Sequence, residues 1–173
     1  MQTFMQEHVA PYYLYIKFVH VCAVTLWAWS TSVAFYWFVR QAHLDWRRNR
    51  SDAELRRRKD WTLEQFDRGA SIEHIAFGVA IVTGLMMFFA AGWGLDRRWL
   101  LWKLAIVVLI FIPMEILDIW LSHMGGNKEK TRLAGNPDRY ESLVRFHWQF
   151  FRVASPLVAV FIPVLLFLAI VKP

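Results

Sequence analysis

The sequence predicts an all-α polytopic membrane protein, a four-transmembrane-helix bundle, and three observations carry that expectation. Hydrophobic residues make up 57% of the 173, against ~45–50% in soluble domains. The excess lies in blocks: residues 75–95 and 153–171 hold no charged side chain, and within 18–39 the one ionisable group expected inside the bilayer is His20. Lys and Arg crowd the segments between blocks, the pattern by which membrane proteins set their orientation. About 20 apolar residues in a helix cross a ~30 Å hydrocarbon layer. These features exclude a soluble enzyme, a disulfide scaffold and a disordered tail. The net charge of +6 belongs to the connecting loops and implies no nucleic acid.

The first span is expected at 12–39. It follows a segment without a basic leader region and is too long for a signal-peptide core, so it reads as retained. Cys22 is the only cysteine and forms no intrachain disulfide. Segment 40–68 then holds nine Lys and Arg and six acidic residues. Its Ser51-Asp-Ala-Glu54 has the form of a capping box, with the serine expected to cap a helix. Leu55, Leu63, Phe66 and Trp61 can then face lipid while Arg56, Arg57, Arg58 and Lys59 meet anionic headgroups. A solvated helix joining two spans is the alternative.

The second span is expected at 69–92. The third, at 98–122, is interrupted by Glu115 and Asp118, but both lie near one end, and Trp99 and Trp102 mark an interface at the other. Residues 123–145 hold five Lys and Arg and read as turns plus a short helix. The fourth span is expected at 146–171, and Pro113 and Pro163 should bend spans three and four. Two basic residues lie in the turn near Asp96 and none precedes Lys17. The two basic loops are therefore expected in the cytoplasm and both termini outside.

Ionisable side chains within a span cost about 2.5–3.5 kcal/mol each at the helix centre, so each needs a reason. Two groups emerge. The outer group is Lys17 and His20 on span one with Lys103 on span three. His20 lies about 12 Å below its predicted helix end, and Lys17, His20, Val24, Trp27 and Thr31 share a face. An imidazole between apolar walls suits haem iron, with Met86 or Met87 at similar depth as a thioether ligand. A histidine bonded to a neighbouring helix and two snorkelling lysines is the plain alternative.

The inner group comprises Glu73, His74, Glu115, Asp118, His147 and Arg152, all within about two turns of the basic end. Glu115, Asp118 and Ser122 form one stripe. Glu73 and His74 are adjacent, so at most one is expected to point straight at it. An ion-pair network with Arg152, a proton or substrate path, and a metal site are all open readings of this group.

The motifs resemble a known family. Tyr15-Ile-Lys17-x-x-His20 with Trp27 and Phe35-Tyr36-x-x-Val39-Arg40 is similar to the first helix of the HemJ-type protoporphyrinogen oxidases. Trp99-Leu-x-x-Lys103-Leu-x-x-Val107 resembles that family's tryptophan–lysine signature, and Ser155-Pro156 … Val171-Lys172-Pro173 its terminal helix. A wider superfamily with CopD-like domains shares the architecture. The resemblance implies a bacterial inner-membrane protein that binds haem b, with His20 and Lys103 as the required pair and Lys103 as the catalytic candidate. It implies oxidation of protoporphyrinogen IX, a tetrapyrrole substrate. Where the family has Asn-Glu before the terminal proline, this chain has Ala154-Ser155.

Two other classes stand beside this reading. One is a non-catalytic subunit or assembly factor of a larger membrane complex. The other is an ion- or metal-handling protein that uses the inner group. Beyond the lipid bilayer, a homo-oligomer or a larger complex is the expected partner.

Overall fold

The computed structural model describes residues 2–173, the side chains of Gln2 and Thr31 excepted. Helix α1 (Gln2–His8) leads through a short 3-10 turn into α2 (Tyr13–Ala34), which passes by a π-turn (Phe35–Val39) into α3 (Arg40–Arg48). Helix α4 (Ala53–Ala90) follows, then α5 (Arg98–Ile106), a second π-turn (Val107–Phe111), α6 (Ile112–His123), the short α7 (Lys128–Leu133) and α8 (Pro137–Val171). Four helical stretches are long and apolar enough to span a membrane: Ala10–Arg48, Ala53–Ala90, Arg98–Leu133 and Pro137–Val171. The chain is a multi-pass membrane protein with an all-α bundle fold.

Contacts at one end fix the up-and-down order. Tyr13 at the start of α2 meets the Trp93 ring at 6.3 Å, and Trp93 meets Trp99 of α5 at 5.2 Å. Lys172 at the end of α8 places its ammonium 5.6 Å over both indoles. The first helix, the 91–97 turn and the carboxyl end therefore share one aromatic end, and the basic loops share the other.

Three apolar layers fill the bundle between these ends. Trp99, Leu100 and Leu168 pack near the aromatic end; Trp27, Ala76, Phe111 and Val158 lie midway. Phe35, Leu63, Phe66, Tyr140, Val144 and Phe151 form the layer at the basic end. The opposite faces are apolar and outward: Leu14, Phe18, Trp29, Trp37, Ile75, Val82 and Ile170 are exposed in the isolated chain. Apolar side chains facing both ways are what a bilayer permits and water does not.

Segment 53–68 departs from the expected interfacial helix. It is the first part of α4, which runs unbroken for 38 residues, about 57 Å at 1.5 Å per residue. Leu63 and Phe66 are buried against α8 rather than turned to lipid. Arg56 pairs with Glu141 at 2.6 Å and Arg57 with Glu54 at 2.6 Å. Hydrophobic periodicity shows that a face is buried, but not against what.

The cap also shifts by one residue. Asp52, not Ser51, accepts from the Glu54 and Leu55 amides at 2.8 and 3.1 Å, while Ser51 bonds Asn49. A carboxylate facing the positive end of the helix dipole outcompetes a hydroxyl for those amides. Proline behaves differently in the two spans where bends were expected. Pro113 cannot donate to the Leu109 carbonyl and its ring crowds that oxygen; the π-turn at Val107–Phe111 widens the helix there. Helix α8 runs through Pro156 and Pro163 as one element.

Candidate functional site: two polar centres within the bundle

The outer centre is built on α2 and α4. His20 is half-buried, and its Nδ1 lies 3.0 Å from the Ala80 carbonyl and 3.1 Å from Thr83 Oγ1. A carbonyl only accepts, so Nδ1 carries the proton. The Thr83 hydroxyl donates to Val79 O at 2.6 Å and turns a lone pair toward the ring. Nε2 is then the unprotonated nitrogen, and among the described residues it has no hydrogen-bond partner. A second nitrogen held by a backbone carbonyl is the arrangement that fixes histidine as a metal ligand. Gly84 lets the helices approach here, since a Cβ at that position would lie 3.2 Å from His20 Cε1.

The expected partners of His20 are placed unequally. Lys103 of α5 is half-buried, its positive charge acts on the His20 ring, and it has no ion-pair or hydrogen-bond partner among the described residues. Met87 is 8% exposed and continues the buried Ala80–Thr83 stripe of α4, whereas Met86 is only half-buried. Lys17 is exposed, as a snorkelling residue would be. The side chain of Thr31 lies outside the described residues. Trp27 shares the His20 face but serves the other centre.

The inner centre joins α2, α4, α6 and α8. Trp27 Nε1 donates to Glu115 Oε2 at 2.9 Å, and His74 Nδ1 lies 2.8 Å from Glu115 Oε1. Phe77 and Phe111 pack on the Trp27 indole at 5.1 and 5.0 Å, which fixes that donor. A cavity of about 20 Å³ lies beside it, lined by Trp27, Glu73, Glu115, Asp118 and Ser155 among others. One water molecule needs about 10–15 Å³. His74 bonds the α6 stripe directly, while Glu73 lines the cavity beside it.

A second row leaves the same cavity through Asp118. His147 Nε2 lies 3.2 Å from Asp118 Oδ1, and its Nδ1 lies 3.5 Å from Asp67 Oδ1. Asp67 binds Lys128 Nζ at 3.0 and 2.9 Å, and that ammonium also donates to Leu121 O at 2.9 Å. His147 and Lys128 are completely buried.

In the ion-pair reading of the inner group Arg152 is the neutralising cation, and the structure corrects this. Arg152 is exposed. It lies five residues beyond His147, about 140° around the helix, so the two cannot face the same neighbour. Lys128 takes the role instead, at the start of α7 in the segment expected to hold turns and a short helix. The signal was the glycine pair before it: a Cβ at Gly126 would stand 2.6 Å from Leu121 Cα, so only glycine lets the chain fold back under α6. Around this pair the helix ends are tied by a forked Arg132–Glu64 bridge at 2.8 and 2.9 Å, a Tyr140–Glu64 hydrogen bond and an Arg68–Glu129 pair.

Chemically, the outer centre offers an imidazole with Nδ1 engaged and Nε2 free, beside a cation without an ion-pair partner among the described residues. The inner centre offers carboxylates and imidazoles in contact. Among the described residues, no three His, Cys, Asp or Glu side chains are grouped to hold a metal ion. No protein-family model, curated protein or solved structure matches the chain.

Proposed function

We propose that this protein is a HemJ-like, haem-b-binding redox protein of the bacterial inner membrane that oxidises protoporphyrinogen IX. The observation that carries the reading is the hydrogen bonding of His20, which leaves Nε2 as the free lone pair at mid-depth in the bundle. The donor chemistry suits haem: His20 would hold the iron through Nε2, and Met87, or Met86 one residue before it, would be the second candidate. Lys103 binds a carboxylate of the haem or of the substrate as a cation; an unpaired ammonium at this depth gains most from an anionic partner. Haem, when bound, supplies one-electron transfer between substrate and acceptor.

The purified protein's absorption spectrum tests the reading. A Soret band that shifts on reduction is expected, and adding protoporphyrinogen should increase porphyrin fluorescence faster than in protein-free controls. Protein from haem-sufficient cells that shows no Soret band, and gains none on addition of haem, overturns it.

The same reading places both termini outside and the basic loops in the cytoplasm, because nine and five Lys and Arg face two in the intervening turn. Reporter fusions at Arg57 and at Asp96 are expected to report opposite compartments. The same compartment for both would overturn this orientation.

A further inference from the structure

The two rows that leave the inner cavity end differently, and the difference assigns them different work. The Asp118–His147–Asp67 row stops at Lys128, which is fully buried and held by Asp67 and the Leu121 carbonyl. A row closed by a buried cation has no outlet to water. The Glu115 row has one. His74, with its side chain 9% exposed, gives Nδ1 to Glu115 and leaves a buried Nε2 without a partner. The ring of His123 stands perpendicular to it with centroids 5.1 Å apart. His123 is itself half-buried, and its Nε2 lies 3.5 Å from Oγ of the exposed Ser71.

We propose that Glu115, His74 and His123 form a proton path between the internal cavity and the basic face of the bundle. Release from a protonated Glu115 moves its proton to His74 Nδ1, and the imidazolium gives its Nε2 proton to His123 and so to water. Glu115 is left as a carboxylate accepting from His74 Nδ1–H, and uptake runs the same steps backwards. Trp27 keeps one carboxylate oxygen occupied, so the other is the exchanging atom. The remaining groups around Glu115 are Glu73 on α4 and Asp118 on α6; His147 on α8 is engaged by Asp118. Toward the aromatic end the cavity is closed by the apolar layer of Phe77, Phe111, Val158 and Phe161. The path is therefore a half-channel, open on one side. It gives any proton released or consumed at the cavity an exit at the basic face, whether or not the protein carries haem.

Infrared spectroscopy of the full-length protein in nanodiscs after a rapid pH jump tests this. The carboxyl band lost in Glu115→Gln identifies the group, and its rate of protonation is the readout. His123→Phe and His74→Phe are each expected to slow it about tenfold or more, since protons then wait for transient openings of the bundle. His123→Phe alters a half-exposed site and keeps the proposal testable if His74→Phe does not fold. Asp118→Asn, on the closed row, is expected to leave the rate within about twofold. Unchanged rates in His123→Phe overturn the path. So does equal slowing by Asp118→Asn, or a Glu115 that does not titrate across the pH range in which the protein stays folded.

Discussion

Replacing His20 by alanine is expected to abolish the Soret band of the purified protein while leaving the bundle folded. Alanine removes the only imidazole in the outer centre. It also leaves the Ala80 carbonyl within its own helix ladder and the Thr83 hydroxyl on Val79 O, so no buried group is orphaned. Thr83→Val keeps the imidazole but removes one of two acceptors from Nδ1. It should retain haem with weaker binding, by about 10- to 100-fold, the usual cost of losing a group that orients a metal ligand. Lys103→Met should keep the haem and its Soret band but weaken haem retention or substrate turnover, because an ammonium that pairs a carboxylate supplies no ligand to the iron. A full, unshifted Soret band in His20→Ala would show that His20 is not the ligand and move attention to His74 and His147. Spectra of the three variants, normalised to protein, separate these outcomes.

Lys128→Met is expected to be the most destabilising single substitution at the basic end, by about 3–5 kcal/mol. Lys128 is completely buried, and its removal leaves Asp67, 2% exposed on its side chain, as an uncompensated charge. The Leu121 carbonyl loses its donor as well. Adding Asp67→Leu should recover part of the loss, since a buried ion pair exchanged for apolar side chains is often close to neutral. Recovery should be incomplete because His147 then lacks its Asp67 neighbour. Arg152→Leu, by contrast, removes an exposed charge and should change stability by no more than about 0.5 kcal/mol. Thermal or denaturant unfolding of five proteins checks this: the wild type, Lys128→Met, Asp67→Leu, their double variant and Arg152→Leu. A strictly additive double mutant would show that Asp67 and Lys128 do not act as a pair.

Glu115 is legible in the sequence and Lys128 is not, because the two features depend on different things. A carboxylate in an apolar span stands out because its cost depends on composition alone. Glu73, His74, Asp118 and His147 were legible for the same reason, and the structure brings them to one end of the bundle. A lysine in a charged loop carries no such mark. Its burial follows from the fold-back at Gly126, a backbone approach between residues that the sequence separates by a turn. Likewise Trp27 shows its helix face in the sequence, but whether its indole donates to Glu115 depends on where α6 lies.

By itself the sequence determined the all-α bundle, the number and order of its spans, the basic and aromatic ends, and the place of His20 and the inner acids along their helices. These follow from hydrophobic runs, charge counts and helical pitch, which act locally and add along the chain. Only the tertiary structure decided that 53–68 continues α4 against α8, that Arg152 faces outward, and that Lys128 closes one polar row while His123 opens the other. It also decided the tautomer of His20, through Ala80 and Thr83 on another helix. Each of these depends on the rotation of one helix against its neighbour. A shift of one residue turns a side chain by about 100°, so contacts between helices depend on the packing of the whole bundle.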